Sequence, residues 1–371
     1  MNDEITLVID NSQARLQKEG ETLVLRIGGE PLQRVPLNLL GLVVVYGNPQ
    51  VPCTVWRILN ERNIPSIIFP SRGKSPPVFL SPGLSSTITL RLKQYQARKN
   101  PENATATAKW LLFQKISALE ALLDRYQDGV NILGEGIDPP KPPSDLNQTS
   151  LGVREILKSS ARSIEEHETG DGLMGFEGVA AAAWFGFLAR HLPSKWNFRG
   201  RNRRPPLDPL NSLLSLGYTL LYAEMSRQVF LRGLDPYLGF IHAPKNGRES
   251  LVLDFMEPLR PAVDAFALQL LASDLAPSHF NNSNRDGCRL TKVGRALFYG
   301  AWASFRLEWP DFGGILTGVN EGVEPEKEGE NMEGMEVVVG ENRLRRFCQA
   351  IMRQSISLWP EIDGSQEDEH G

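Results

Sequence analysis

Two hydrophobic periods divide this chain. In its first 80 residues or so, apolar side chains come in short β-branched runs: Ile5-Thr6-Leu7-Val8-Ile9, Leu23-Val24-Leu25-Arg26-Ile27, Leu42-Val43-Val44-Val45-Tyr46 and Pro65-Ser66-Ile67-Ile68-Phe69. Such runs, bounded by turn formers, predict strands. Lys18-Glu19-Gly20-Glu21 predicts a hairpin turn ahead of the second run, and Gly47-Asn48-Pro49 closes the third. Residues 55–63 suit one amphipathic helix. Past Leu90 the steps lengthen to three and four residues. Leu111, Leu112, Ile116, Leu119, Leu122 and Leu123 predict a helix over 104–127. Others are predicted over 153–168 and 175–191, from Asn211 as cap to a stop at Gly233, and over 258–272, 292–307 and 343–358. Residues 134–150, with four prolines, read as a connector. The expected fold class is α+β: a small N-terminal β-rich domain over 1–85, then a larger, mostly α-helical domain over 86–371. Helical domains have no default chemistry, so function must be sought in particular side chains.

Net charge needs sorting before it excludes anything. The overall value is −4, which taken whole disfavours a nucleic-acid binder. Yet residues 321–336 carry seven Glu and one Lys, a net of −6, and residues 361–371 carry −5. Both stretches have the composition of solvated loop or tail, the first extending over about 317–340. Without them the remaining chain is near +7. Nucleic acid stays open.

Other classes close more firmly. The acidic opening Met1-Asn2-Asp3-Glu4 predicts no signal peptide, and no apolar run approaches the roughly 18–20 residues of a spanning helix. A cytoplasmic protein away from membranes is expected. Cys53, Cys288 and Cys348 are scattered without a CxxC pair, so they read as reduced, buried apolar residues rather than a zinc framework.

Of the five histidines, His242 stands out: it lies in apolar Gly239-Phe240-Ile241-His242-Ala243, twelve residues before Asp254 and fifteen before Glu257. Asp254 and Glu257 share the apolar segment Leu251-Val252-Leu253-Asp254-Phe255-Met256-Glu257. In a helix their i,i+3 spacing puts both acids on one face. Burying them together demands a cation. A divalent metal satisfies that demand, and so does an ion pair to Arg260; spacing alone leaves both open. Glu177, in Gly175-Phe176-Glu177-Gly178 before an alanine-rich run, adds a third acid, which also suits the positive end of a helix. Glu177, His242 and Glu257 together would make a mixed carboxylate–imidazole site for Mg²⁺ or Mn²⁺. Separately, residues 195–204 hold Lys195, Arg199, Arg201, Arg203 and Arg204 around Trp196 and Phe198. That loop suits phosphate contacts with a stacked, unpaired base, or is simply a solvated basic loop.

The order of these strings resembles one family. Gly175-Phe176-Glu177-Gly178, Pro205-Pro206-Leu207-Asp208-Pro209 with Asn211-Ser212-Leu213-Leu214-Ser215-Leu216-Gly217-Tyr218, Gly233-Leu234-Asp235-Pro236 with Gly239-Phe240-Ile241-His242, and Ser250-Leu251-Val252-Leu253-Asp254-Phe255-Met256-Glu257-Pro258-Leu259-Arg260-Pro261 are similar to the CRISPR-associated spacer-acquisition integrases. Weaker likeness at Gly47, Ile64-Pro65, Arg91, Gln94-Tyr95, Cys288-Arg289-Leu290 and Gly294-Arg295 extends it over most of the chain. Residues 321–336 fall outside it, and the 134–150 connector is longer than expected.

The resemblance implies an enzyme of CRISPR adaptation and antiviral defence: a metal-dependent DNA endonuclease/integrase joining the 3′-hydroxyl ends of short foreign duplexes into the repeat array by transesterification. It implies Glu177, His242 and Glu257 as metal ligands, with Asp254 supporting the catalytic site; many members carry Asp at the position of Glu257. It further implies a homodimer, two of which flank a small ferredoxin-like second adaptation protein in a heterohexamer that holds double-stranded DNA. Lys195, Arg199, Arg201, Arg203, Arg204 and Arg260 are the candidate DNA contacts. The alternatives are a stand-alone metal-dependent nuclease and a non-catalytic DNA-binding scaffold.

Overall fold

The computed structural model describes residues 5–70, 77–81, 88–126, 149–170, 172–203, 205–283, 287–316 and 342–361. The chain forms two compact units: Met1–Asn103 with Tyr222–Asp254 and Ile356–Gly371, and Ala104–Leu221 with Phe255–Ser355. Strands come first and helices dominate afterwards, as the two periods require.

In the first unit, β1 (Ile5–Ile9), β5 (Leu40–Tyr46), β6 (Ser66–Phe69) and β7 (Val78–Leu80) form one sheet in that order, and β2 (Ala14–Glu19), β3 (Thr22–Ile27) and β4 (Glu30–Pro36) form another. β1, β5 and β6 run parallel and β7 is antiparallel. β5 is apolar along nearly its whole length because it is covered on both faces. The expected β2–β3 hairpin is present, turning at Gly20-Glu21. A second hairpin, β3–β4, turns on Gly28 and Gly29, both at positive φ, which a two-residue turn of this kind demands. α1 (Cys53–Glu61) buries Val55 and Leu59 in the core with Leu7, Leu16, Leu25, Val43 and Val45. Cys53 is exposed, unlike Cys288 and Cys348, so it is not a core residue as its type suggested.

α2 (Ile88–Lys99) completes this unit together with the last turns of α6 (Pro209–Leu231). There Phe230 packs on Phe79 and Tyr222 on Phe69, while Arg227 Nε donates to the Gly41 carbonyl at 2.7 Å. The second unit holds α3 (Pro101–Asp124), α4 (Ser150–Glu166), α5 (Leu173–His191), most of α6, α8 (Arg260–Ser273), the hairpin β8 (Phe280–Ser283)–β9 (Gly287–Leu290), α9 (Lys292–Phe305) and α10 (Arg343–Ser357). α8 is buried on nearly every face, and Phe266 packs among Phe298, Trp302 and Phe305.

The cap of α6 is Asp208, not Asn211: Asp208 Oδ1 accepts the Asn211 N–H at 2.9 Å, with Pro209 as first helical residue. Asn211 serves the preceding loop instead. The 134–150 connector lies outside the described residues apart from Thr149, which caps α4, and Ser150. The acidic segment 321–336 also lies outside them, as does the tail beyond Glu361. Among the described residues no helix is long and apolar enough to cross a membrane.

Tyr222 donates to Glu249 Oε2 at 2.7 Å, and burial pushes the Glu249 carboxyl from its ordinary 4.5 up to about 7. Its folded value therefore exceeds its unfolded one. The stability this group contributes is full below pH 4.5 and lost as pH rises through 7. Glu249→Gln stays neutral and keeps an acceptor for Tyr222. Thermal and urea unfolding should show it roughly 2–3 kcal/mol more stable than the parent at alkaline pH, the gain vanishing in acid. An equal gain at both extremes would place the benefit elsewhere.

Candidate active site

α3 carries one charge inside its apolar stripe. Lys115 sits four residues after Leu111 and four before Leu119, so the helical period turns it inward with them. Its ammonium meets two acids from distant parts of the sequence. It donates to Glu177 Oε1 and, at 2.5 Å, to Glu257 Oε2. α5 starts at Leu173, so Glu177 lies beyond the first turn and the helix dipole does not explain it; Lys115 does. Glu257 opens a 3-10 turn, Glu257–Leu259, which Pro258 enforces by ending α7 (Ser250–Met256) before α8 begins. Burial is the largest influence on Lys115 and lowers its pKa, yet Glu257 and Glu177 together outweigh it and hold the ammonium above its ordinary range.

Glu257 has a second cation. Arg260 Nε lies 2.8 Å from its Oε1, so the i,i+3 ion pair left open by the sequence is formed. The Arg260 guanidinium covers the Tyr218 ring at 4.8 Å. Tyr218 OH donates to Asp264 Oδ1, and Trp184 Nε1 to Asp264 Oδ2 at 2.9 Å. Burial pushes the Asp264 carboxyl up to about 6 against these hydrogen bonds. The result is a continuous polar network inside the helical unit.

His242 and Asp254 form their own cluster within the first unit. Asp254 is fully buried on α7, and its carboxylate accepts the backbone N–H groups of Phe240 (2.5 Å), Ile241 (2.9 Å) and His242 (3.1 Å). His242 Nδ1 lies 2.6 Å from the same carboxylate. With Nδ1 donating there, the lone pair is on Nε2, the arrangement that orients metal-bound histidines. Burial, the dominant effect, raises the Asp254 carboxyl despite these donors. Gly239 is required: a Cβ would collide with Asp254 Oδ2 and the Ser250 backbone. Buried Gln94 fastens the preceding turn, donating to the Asp235 and Leu238 carbonyls at 2.9 Å and accepting the Asp235 N–H at 2.8 Å.

The basic loop divides by exposure. Lys195, Arg199 and Arg203 are exposed, while Arg204 lies outside the described residues. Arg201 is half-buried, donating to Asn211 Oδ1 at 2.8 Å and packing over Tyr218. Arg260 belongs to the Glu257 network. Trp196 and Phe198 are buried in the core, Trp196 against Phe280, so neither ring is free to stack on a base as the sequence had suggested.

Thus Glu177 and Glu257 converge on Lys115, while His242 is held by Asp254. Among the described residues, no group of three or more His, Cys, Asp or Glu side chains is placed to hold a metal. Sequence reasoning passed over Lys115 and Asp264, although each stands as a charge within an apolar helical stripe. Asp254→Ala would strip three loop amides and a ring nitrogen of their acceptor, a loss of about 3 kcal/mol. Amide exchange at 240–242 should accelerate roughly 100-fold; unchanged protection would mean that the loop holds without Asp254.

Residues 7–304 match the family model described as CRISPR associated protein Cas1. The chain is 34% identical over 303 residues to CRISPR-associated endonuclease Cas1 2 of Rhodospirillum rubrum, covering 80% of this chain and 85% of that one. Its fold is similar to that of a casposase bound to integration product, with TM-score 0.71 and 18% identity over 95% of this chain and 90% of that one. It is also similar to a chain of a Cas6-RT-Cas1--Cas2 complex, with TM-score 0.69 and 19% identity over 97% of this chain and 36% of that one. At those identities the structural matches bear on fold alone. The family match spans the stretch that carries Glu177, His242, Asp254 and Glu257, and the chain belongs to the CRISPR-associated Cas1 family.

Proposed function

We propose that this protein is a divalent-metal-dependent DNA endonuclease/integrase of CRISPR adaptation, with Glu177, Glu257 and His242 as ligands of Mg²⁺ or Mn²⁺. The observation that carries this reading is the convergence of the Glu177 and Glu257 carboxylates on one buried cation in a chain related to named Cas1 endonucleases. The donor set suits the metal: two hard carboxylates, and an imidazole whose Nδ1 is engaged by Asp254 so that Nε2 remains for coordination. When bound, the metal supplies activation of a DNA 3′-hydroxyl and stabilisation of charge at the attacked phosphorus.

The chain's own residues do the rest. Glu177 and Glu257 provide anionic oxygens from a rigid helix and a proline-stiffened turn. Asp254 fixes the His242 tautomer and ring orientation. No protein nucleophile is needed: the 3′-hydroxyl of the short duplex would attack a phosphodiester of the repeat, one P–O bond forming as the bond to that strand's own 3′-oxygen breaks. Lys195, Arg199 and Arg203 are exposed cations for phosphate contact, whereas Arg201 and Arg260 shape the interior. A homodimer bound to duplex DNA and to a small second adaptation protein is the assembly proposed; a chain of similar fold comes from a Cas6-RT-Cas1--Cas2 complex.

The test is strand transfer: a short 3′-hydroxyl duplex, a supercoiled plasmid with a CRISPR repeat, the partner protein, and Mg²⁺ or Mn²⁺. Joined products are expected. Hydrolysis without joining would mean a nuclease only. Losing even an outer partner of a metal ligand costs roughly 10–100-fold, so Glu177→Gln and His242→Ala should each lower joining by more than about 100-fold. Full joining by either variant refutes the ligand assignment. Deleting 321–336 should leave metal-dependent joining largely intact; a large loss would make that segment part of the machinery.

A further inference from the structure

Lys115 already satisfies the charge demand that makes Glu177 and Glu257 suitable metal ligands. Its side chain and that of Glu257 are about one-tenth exposed, and that of Glu177 about one-fifth. Two carboxylates brought that close in a low-dielectric interior repel strongly unless a cation lies between them. In this chain the cation is covalent. It comes from α3 and reaches one oxygen of each acid, the same two carboxylates that would hold a divalent ion.

From this we infer that Lys115 is the built-in counter-ion of the site: it keeps Glu177 and Glu257 paired before metal arrives, and it must withdraw for a divalent cation to take the same oxygens. Metal loading is then an exchange of one cation for another. The residue type suits the task. A lysine ammonium is a point charge on a flexible four-carbon stem, able to leave and return, whereas an arginine fork would lock both acids. The Lys115 charge also acts on the buried Asp264 carboxyl in the same unit, so an anion other than the two ligands lies within its electrostatic range. Lys115 is therefore a positioning residue, acting through the two acids rather than on DNA. This inference rests on the assignment of Glu177 and Glu257 as metal ligands.

The experiment uses the full chain stripped of metal, with Mn²⁺ alone as the probe, titrated by calorimetry and followed by thermal melting. Lys115→Met deletes the ammonium and keeps the apolar stem. Without metal it should melt roughly 5 °C or more below the parent, since Glu177 and buried Glu257 lose the cation they share. With metal the order reverses: Mn²⁺ should bind at least about 10-fold tighter, because no +1 charge competes with it. A lysine of merely structural use predicts the opposite, affinity that falls with the distorted acids. Equal or weaker Mn²⁺ binding by Lys115→Met overturns the exchange. If Lys115→Met does not fold, Lys115→Gln, neutral but still a donor, is held to the same two criteria. Glu177→Gln separates the two levels: if it binds Mn²⁺ as the parent does, the ligand assignment itself fails.

Discussion

An ammonium held between two carboxylates organises the helical unit. Lys115, Glu177 and Glu257 belong to α3, α5 and the turn before α8, and their charges meet in a region where any one alone would be costly. Breaking such a buried pair from one side typically costs about 3–5 kcal/mol, whereas replacing it whole by apolar groups is often neutral. The network is thus weak evidence for stability. Its value lies in geometry: it fixes where two carboxylates point. Arg260, Tyr218, Asp264 and Trp184 extend it, so that each polar group faces a partner rather than bare hydrocarbon.

The first unit solves a related problem by a different route. There one buried acid, Asp254, organises backbone rather than charge, gathering three consecutive amides and the ring of His242. Gln94 performs the same service one turn earlier with a neutral amide. The loop bearing His242 gains its order from these two side chains, since it has no regular hydrogen-bond ladder of its own.

Much of this was readable beforehand. β1, β3, β5 and β6 were foreseen because β-branched runs flanked by turn formers have few other uses. The long helices were foreseen because their apolar period persists for several turns. Other elements have only weak local signals. β8 is Phe280-Asn281-Asn282-Ser283, polar and short, and pairs only because β9 lies opposite. The α6 cap is ambiguous in sequence because Asp208 and Asn211 are both good capping types three residues apart, and the loop's hydrogen bonds decide between them. Trp196 and Phe198 in a basic loop suggested base stacking; packing against the core claimed both rings. Local composition ranks possibilities, and burial selects among them.

The candidate site divides along the same line. From sequence alone came the acids, the histidine, the family resemblance and the need for a cation, because a carboxylate in an apolar motif is a local anomaly visible in one dimension. The identity of the cation was not local. Lys115 lies 62 residues from Glu177 and 142 from Glu257. A helical period tells which face Lys115 occupies but not what that face meets. That pairing, like the three amides gathered by Asp254, exists only once the elements pack, since no propensity or spacing encodes a contact between residues so far apart in the chain.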